Sequence, residues 1–95
     1  MIQVEEKDKQ IIKKILQKYP YNFYMFGSRV KGTAKKFSDL DICFFDPIPW
    51  NVRAHIDEDF DNSNIPYIVD VIDLTLCDEA FRNIIQKDLV PIEQL

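Results

Sequence analysis

The chain is organised around residues 26–42, FGSRVKGTAKKFSDLDI. Both glycines of the protein, Gly27 and Gly32, lie inside this stretch. Glycine is favoured where the backbone adopts an unusual conformation or approaches another group closely. We therefore expect Gly27 and Ser28, which follow an apolar run, to form a tight turn. There, backbone N–H groups and the Ser28 hydroxyl can donate to phosphate oxygens.

Three aspartates are the second feature of the sequence. Asp39 and Asp41 stand two residues apart in a predicted strand, so both carboxylates point to one face of it. Like charges side by side repel unless a cation joins them, and Mg²⁺ prefers oxygen ligands. Asp70 lies in an apolar strand where an unpaired carboxylate is costly, whereas alternation turns Asp73 to the opposite face. The sequence thus predicts Asp39, Asp41 and Asp70 as catalytic and metal-binding residues, with Asp70 either a metal ligand or a general base.

Hydrophobic periodicity predicts a chain of alternating helices and strands. In order, these are a helix over residues 5–18, a strand over 21–26, a short helix or turn over 28–34, a strand over 39–45, a helix over 50–61, a strand over 67–74 and a helix over 79–87. Asp78 is the predicted cap of the last helix, whose Phe81, Ile84 and Ile85 are expected to point inward. Residues 89–92 are expected to add a short extended piece.

This order, α-β-α-β-α-β-α, predicts an α/β (α+β) fold with a small β-sheet flanked by helices. Helix-length connections permit parallel strands, but the short connection over residues 27–38 suits an antiparallel pair equally well. The sheet is therefore predicted to be mixed. Residues 1–95 are expected to form a single domain.

Composition and charge narrow the classes of function. A net charge of −4 argues against stable nucleic-acid binding. No apolar run reaches the roughly 18 residues that span a bilayer, and the N-terminus does not resemble a signal peptide, so we expect no membrane partner and a cytoplasmic location. Residues 29–36 hold four basic residues and no acid, which favours a small polyanion. Arg29 and Lys31 are therefore predicted to bind nucleotide phosphates with Gly27 and Ser28, the alternative being a solvated loop.

Gly27-Ser28, ten intervening residues and Asp39-Leu-Asp41 resemble the GSx10DxD signature of the DNA polymerase beta-like nucleotidyltransferase superfamily. The short chain and its Asp70 strand are also similar to the minimal nucleotidyltransferases, or MNT proteins. Asp39 and Asp41 alone would suit a solvated strand end, but the glycine and serine at this spacing favour a metal site. The resemblance implies a nucleotidyltransferase fold. It also implies two Mg²⁺ ions, with Mn²⁺ as an alternative, and ATP or another NTP as substrate.

The resemblance further implies a partner. Many MNT proteins are encoded beside a HEPN-domain protein and act as the antitoxin, in some cases by adenylylating the HEPN toxin. The implied function is Mg²⁺-dependent transfer of AMP from ATP to an acceptor hydroxyl on a HEPN toxin, a type VII-like antitoxin activity. Two alternatives stay open: a catalytically silent antitoxin that neutralises its partner by contact, and a nucleotidyltransferase acting on a small hydroxylated molecule. The sequence also leaves homo- or hetero-oligomerisation open.

Overall fold

A computed structural model describes residues 2–95 of the chain. The helices are α1 Glu6–Leu16, α2 Ser28–Lys31, α3 Trp50–Asp61 and α4 Glu79–Gln86, and the strands are β1 Tyr24–Phe26, β2 Leu40–Phe44, β3 Val69–Asp73 and β4 Val90–Pro91. Short 3₁₀ turns at Leu74–Leu76 and Ile92–Gln94 follow β3 and β4. The predicted order of elements is confirmed, and β4 is the extended piece expected near residues 89–92.

The four strands form one mixed sheet in the order β3-β2-β1-β4. β1 pairs antiparallel with both β2 and β4, whereas β2 and β3 run parallel. The connection from β1 to β2 holds only the four-residue α2, which suffices to reverse the chain. The connection from β2 to β3 carries α3, which returns the chain to the end where β2 began. The predicted mixed sheet is therefore confirmed.

The two faces of the sheet have different cover. Leu40, Ile42 and Phe44 of β2 point to the face covered by α1 and α3, where they pack in the larger core with Ile12 and Ile56. The opposite face carries a smaller core of Phe26, Cys43, Leu74 and Ile85 beneath α4. Side chains alternate along a strand, so Asp41 belongs to this second face, beyond the end of the smaller core.

The last helix confirms one expectation and corrects another. The Asp78 side chain caps α4 by accepting a hydrogen bond from the Phe81 amide at 2.8 Å, as predicted. Ile85 is buried and Phe81 is partly covered, but Ile84 is 66% exposed, so its predicted inward orientation is wrong. The reason is that the smaller core accepts only a narrow stripe of α4.

In residues 2–95, no helix has the length and apolarity needed to cross a membrane.

Candidate active site

Gly27 makes the turn between β1 and α2. Its φ of 86° and ψ of −160° lie in a region that side-chain-bearing residues rarely adopt. Phe26 is paired with Asp41 across the β1–β2 ladder, and this pairing brings Gly27 against the Asp41 carboxylate. A Cβ atom placed on Gly27 would lie only 2.5 Å from Asp41 Oδ2. Glycine is therefore required both for the turn and for the close approach of the carboxylate.

Strand register brings the three predicted carboxylates together. Asp41 and Asp70 are direct partners in the parallel β2–β3 ladder, and Asp39 lies two residues before Asp41 on the same face. Asp41 is half-buried, whereas Asp39 and Asp70 are exposed. Burial raises the pKa of Asp41 from its ordinary value, and the charges of Asp70 and Asp39 raise it further. The three groups thus form one negatively charged cluster.

The chemistry of this cluster fits a hard divalent cation. The ion pairs formed within residues 2–95 use other acids, namely Glu5, Asp57, Asp59 and Asp88. Across the same residues, no three His, Cys, Asp or Glu side chains are gathered closely enough to hold a metal ion as they stand. The backbone positions of Asp41 and Asp70 are fixed by their pairing in the β2–β3 ladder. A carboxylate set of this kind is the donor set that Mg²⁺ prefers.

Ser28 and Lys31 lie at the two ends of α2. Ser28 directly follows Gly27, so the structure brings this predicted phosphate contact beside the carboxylate cluster. The helix ends at Gly32, whose φ of 78° is left-handed. Lys31 is exposed and its Nζ lies 3.6 Å from Asp88 Oδ2, so the lysine stands in solvent beside the turn. Its predicted role in nucleotide binding stays a prediction.

Arg29 requires a correction, because the structure takes its side chain away from the predicted nucleotide site. The residue is only 6% exposed. Its Nε and Nη2 donate to the Ser38 carbonyl at 3.0 and 2.7 Å, Nη2 also donates to Lys36 O at 3.1 Å, and Nη1 donates to Gln3 O at 2.8 Å. These bonds satisfy the buried guanidinium and leave it unsuited to hold a phosphate. All its partners are backbone carbonyls, which no residue pattern in the sequence identifies.

The Arg29 side chain instead positions the two halves of the motif. Ser38, whose carbonyl it binds, is the residue before Asp39, so Arg29 ties the turn at Ser28 to the start of β2. The guanidinium lies 3.7 Å from the centre of the Tyr67 ring. The Tyr67 hydroxyl donates to Asp8 Oδ2 at 3.3 Å, and Asp8 is itself only 2% exposed. Sequence analysis missed this support because Asp8, Arg29 and Tyr67 are far apart along the chain.

Asp73 lies outside the cluster, as its alternation with Asp70 predicts. Its Oδ1 accepts hydrogen bonds from the Thr75 amide at 2.9 Å and the Thr75 hydroxyl at 2.6 Å. The carboxylate therefore caps the 3₁₀ turn after β3. It provides a chemically matched control for Asp70 on the same strand.

Comparison with known proteins adds sequence and fold relationships. The family model described as "Nucleotidyltransferase domain" matches residues 8–94. The chain is 38% identical over 97 residues to the probable protein adenylyltransferase MntA of Haemophilus influenzae, covering 98% of this chain and 85% of that protein. It also resembles a chain in a crystal structure of a toxin–antitoxin with AMP-PNP. The TM-score is 0.69 at 23% identity, covering 90% of this chain and 72% of the other, a likeness that concerns the fold alone.

Gly27→Ala is expected to weaken Mn²⁺ binding by about tenfold and to destabilise the protein by about 1–3 kcal/mol, because it combines backbone strain with a clash against Asp41. Calorimetric titration and urea unfolding measure the two effects. Gly32→Ala meets a similar φ of 78° without the contact that Gly27 makes, so it should lose stability but keep its Mn²⁺ affinity. Equal Mn²⁺ affinity in Gly27→Ala and Gly32→Ala would show that the close approach of Gly27 to the Asp41 carboxylate does not contribute to metal binding.

Arg29→Lys is expected to lower the free energy of unfolding by about 2–4 kcal/mol, because an ammonium cannot reproduce the buried fork of hydrogen bonds or the stack on Tyr67. Lys31→Gln, a charge change two residues away at an exposed position, should stay within about 0.5 kcal/mol of the wild type. Urea unfolding of both variants checks the difference. Similar losses in the two would show that Arg29 is not a structural support.

The raised pKa of Asp41 gives a prediction about pH. The folded state binds this proton more tightly than the unfolded state, so the ionised carboxylate destabilises the fold, most fully above its folded pKa. Asp41→Asn should therefore raise Tm at pH 7 by a few degrees, and the gain should shrink as pH falls through the folded pKa towards the unfolded value of about 3.9. Glu58→Gln, an exposed acid on α3, serves as the control in thermal melts. A lower Tm for Asp41→Asn than for the wild type at pH 7 would show that the ionised Asp41 carboxylate does not destabilise the fold.

Proposed function

The chain belongs to the nucleotidyltransferase domain family, and from this premise we propose that it transfers AMP from ATP to an acceptor hydroxyl in a Mg²⁺-dependent reaction. Membership of the family makes the chain an enzyme that moves a nucleotidyl group. The observation that carries the proposal is the Asp41 carboxylate, which lies between the Gly27 turn on one side and Asp70 on the other. The turn proposed to bind phosphate and the carboxylates proposed to bind the cation are therefore neighbours.

The residues divide the chemistry between them. The Gly27–Ser28 turn holds the β- and γ-phosphates of the nucleotide, with Lys31 as a cationic contact. Asp39 and Asp41 would hold Mg²⁺, for which two ions are proposed, and Mg²⁺ there would supply positive charge to offset the charge that develops on the phosphate oxygens. The acceptor oxygen forms a bond to the α-phosphorus while the bond to the bridging oxygen breaks and pyrophosphate leaves. Asp70, the partner of Asp41 in the ladder, accepts the proton of the attacking hydroxyl.

The proposed acceptor is a protein. The relative in Haemophilus influenzae is named a protein adenylyltransferase, and the similar solved structure is a toxin–antitoxin complex. These names support a protein acceptor in a toxin–antitoxin pair. The MNT-like motif supports a HEPN-domain toxin as that acceptor, and we propose that the pair acts in the cytoplasm. In this role the chain silences the toxin by adenylylating a hydroxyl of it.

A second candidate is an antitoxin that neutralises its partner by contact alone. The observation in its favour is that, within residues 2–95, no three His, Cys, Asp or Glu side chains lie close enough together to hold a metal ion. The transfer experiment below separates the two candidates, because only the first requires Asp41 to act on a nucleotide.

The chain is incubated with Mg²⁺, with ATP labelled at the α-phosphate and with a HEPN-domain protein encoded beside it. We expect the HEPN-domain protein to become labelled. ATP labelled at the γ-phosphate should leave it unlabelled, which distinguishes nucleotidyl from phosphoryl transfer. Asp41→Asn should reduce labelling by about 100-fold or more, whereas Asp73→Asn, the matched change outside the cluster, should keep it. Absence of label with the wild type would refute the enzymatic proposal. Continued suppression of toxicity by Asp41→Asn would then favour neutralisation by contact.

A further inference from the structure

Large apolar side chains surround the free edge of the sheet. β3 is an outer strand, since the strand order is β3-β2-β1-β4. Ile68, immediately before it, is 67% exposed, and Leu76, in the turn after it, is 84% exposed. Trp50, the first residue of α3, is 81% exposed. Exposed apolar side chains distributed along one edge can together form an interaction surface, whereas an isolated one needs no explanation.

Arg53 shows that Trp50 belongs to this edge. The Arg53 guanidinium donates a hydrogen bond to the Val71 carbonyl on β3. Trp50 lies three residues earlier on the same helix, which places both side chains on one helix face. The start of α3 therefore stands along the outer edge of β3, with Trp50 beyond the point where Arg53 makes contact.

Ile68 connects this edge to the proposed catalytic cluster. Leu40 is paired with Val69, and the Leu40 amide donates to the Ile68 carbonyl at 2.9 Å, so Ile68 lies beside Asp39. Side chains alternate, so Ile68 shares a face with Asp70. An exposed isoleucine thus lies next to the carboxylates. Metal binding in water does not require an apolar side chain at this position, so Ile68 needs another explanation.

The direction of the proposed reaction gives this edge a role. In nucleotidyl transfer the attacking oxygen and the leaving oxygen lie roughly in line on opposite sides of the phosphorus. The phosphates are assigned to Gly27 and Ser28, beside β1, so pyrophosphate leaves towards β1. Asp41 lies on β2 and Asp39 directly precedes that strand, so both stand in the middle. The attacking hydroxyl must therefore approach from the third strand, β3, which carries Asp70 and Ile68.

We propose that the outer edge of β3, with Ile68, Trp50, Leu76 and Asp70, is the docking surface for a folded protein acceptor that presents its hydroxyl from an apolar patch flanked by basic residues. This inference rests on the proposed function and specifies the side of the site on which the acceptor binds. Five strand residues at about 3.3 Å each make an edge of roughly 16 Å. The apolar groups lie at both ends of that edge, a span that suits a protein surface better than a small hydroxylated molecule.

Charge supports a basic partner. The acids on this side include Asp70 of β3 and Asp61 of α3, together with Asp57, whose Oδ2 lies 3.7 Å from Arg53 Nε in an ion pair. Burial raises the pKa of Asp57, Arg53 lowers it, and Asp61 and Asp70 raise it, so these carboxylates lie within electrostatic reach of one another. A partner with lysine or arginine around its apolar patch complements this surface.

A second copy of the chain is a weaker candidate for the occupant. The Ile68 carbonyl accepts a hydrogen bond from β2. Successive residues of an outer strand point their backbone groups alternately towards the neighbouring strand and away from it. The Val71 carbonyl, three residues later, therefore points away from β2, towards the free edge. Arg53 already donates to that carbonyl. The edge is thus blocked at its middle against continuous pairing with another strand, while the side chains around it stay open.

Ile68→Ala and Trp50→Ala test the proposal, with Ile84→Ala as the matched control, because Ile84 on α4 is 66% exposed and does not belong to the proposed surface. The purified HEPN-domain protein is the probe, and its binding to the full chain is measured by calorimetry without nucleotide. The two edge variants should weaken binding by about tenfold or more and raise KM for this protein in the transfer assay. Ile84→Ala should change neither, and Mn²⁺–ATP affinity should stay at the wild-type value in all three.

Four outcomes would count against the docking surface. Equal binding by Ile68→Ala, Trp50→Ala and Ile84→Ala would overturn it, and so would a wild type that does not bind the probe. A loss of Mn²⁺–ATP affinity in the edge variants would assign these side chains to the nucleotide instead. A wild-type dimer in sedimentation that the edge variants dissociate would assign the surface to a second copy. Failure of transfer with edge-dependent binding intact would refute the proposed catalysis and leave the docking surface standing.

Discussion

Gly27 turns with a φ of 86° directly against the carboxylate of Asp41, and a Cβ on Gly27 would come within 2.5 Å of Oδ2. This contact depends on the antiparallel pairing of Phe26 with Asp41, which in turn depends on a short connection between β1 and β2. The same strand, β2, pairs on its other side with β3 and places Asp70 beside Asp41. One close approach between a turn and a carboxylate thus sets the relative positions of the proposed phosphate and metal sites.

The rest of the fold supports an arrangement that is unfavourable by itself. Burial and two neighbouring negative charges raise the pKa of Asp41, so the ionised Asp41 carboxylate destabilises the sheet that carries it. Opposing this, α1 and α3 cover the other face with the larger apolar core. Arg29 is committed to three carbonyls and Tyr67, and so holds the loop before Asp39. The apolar core and the Arg29 contacts that stabilise the fold therefore lie behind the site. The carboxylates face solvent, where a cation and a nucleotide can reach them.

Much of this could be predicted from local sequence. Alternation along the strand predicted over residues 39–45 placed Asp39 and Asp41 on one face, and the apolar context of Asp70 singled it out from Asp73, which caps Thr75. Helix and strand order predicted the mixed sheet. What local patterns could not predict were contacts between distant segments. The basic run over residues 29–36 suggested that Arg29 faces a phosphate, but its partners are backbone carbonyls, and the exposure of Ile84 depends on how narrow a surface α4 meets. The family match identifies the chain, whereas the roles of the individual site residues are inferred from their geometry.

The central claim is that Gly27, Ser28 and the three aspartates form one metal–nucleotide site. Crystals of the protein grown with Mn²⁺ and a non-hydrolysable ATP analogue test it most directly, because anomalous scattering locates the metal itself. We expect an anomalous peak within about 2.0–2.3 Å of carboxylate oxygens of Asp39 and Asp41, with the β- and γ-phosphates against the Gly27–Ser28 turn and the α-phosphorus facing Asp70. Manganese bound away from these carboxylates, or a triphosphate held by Lys35 and Lys36 instead of the turn, would contradict the account.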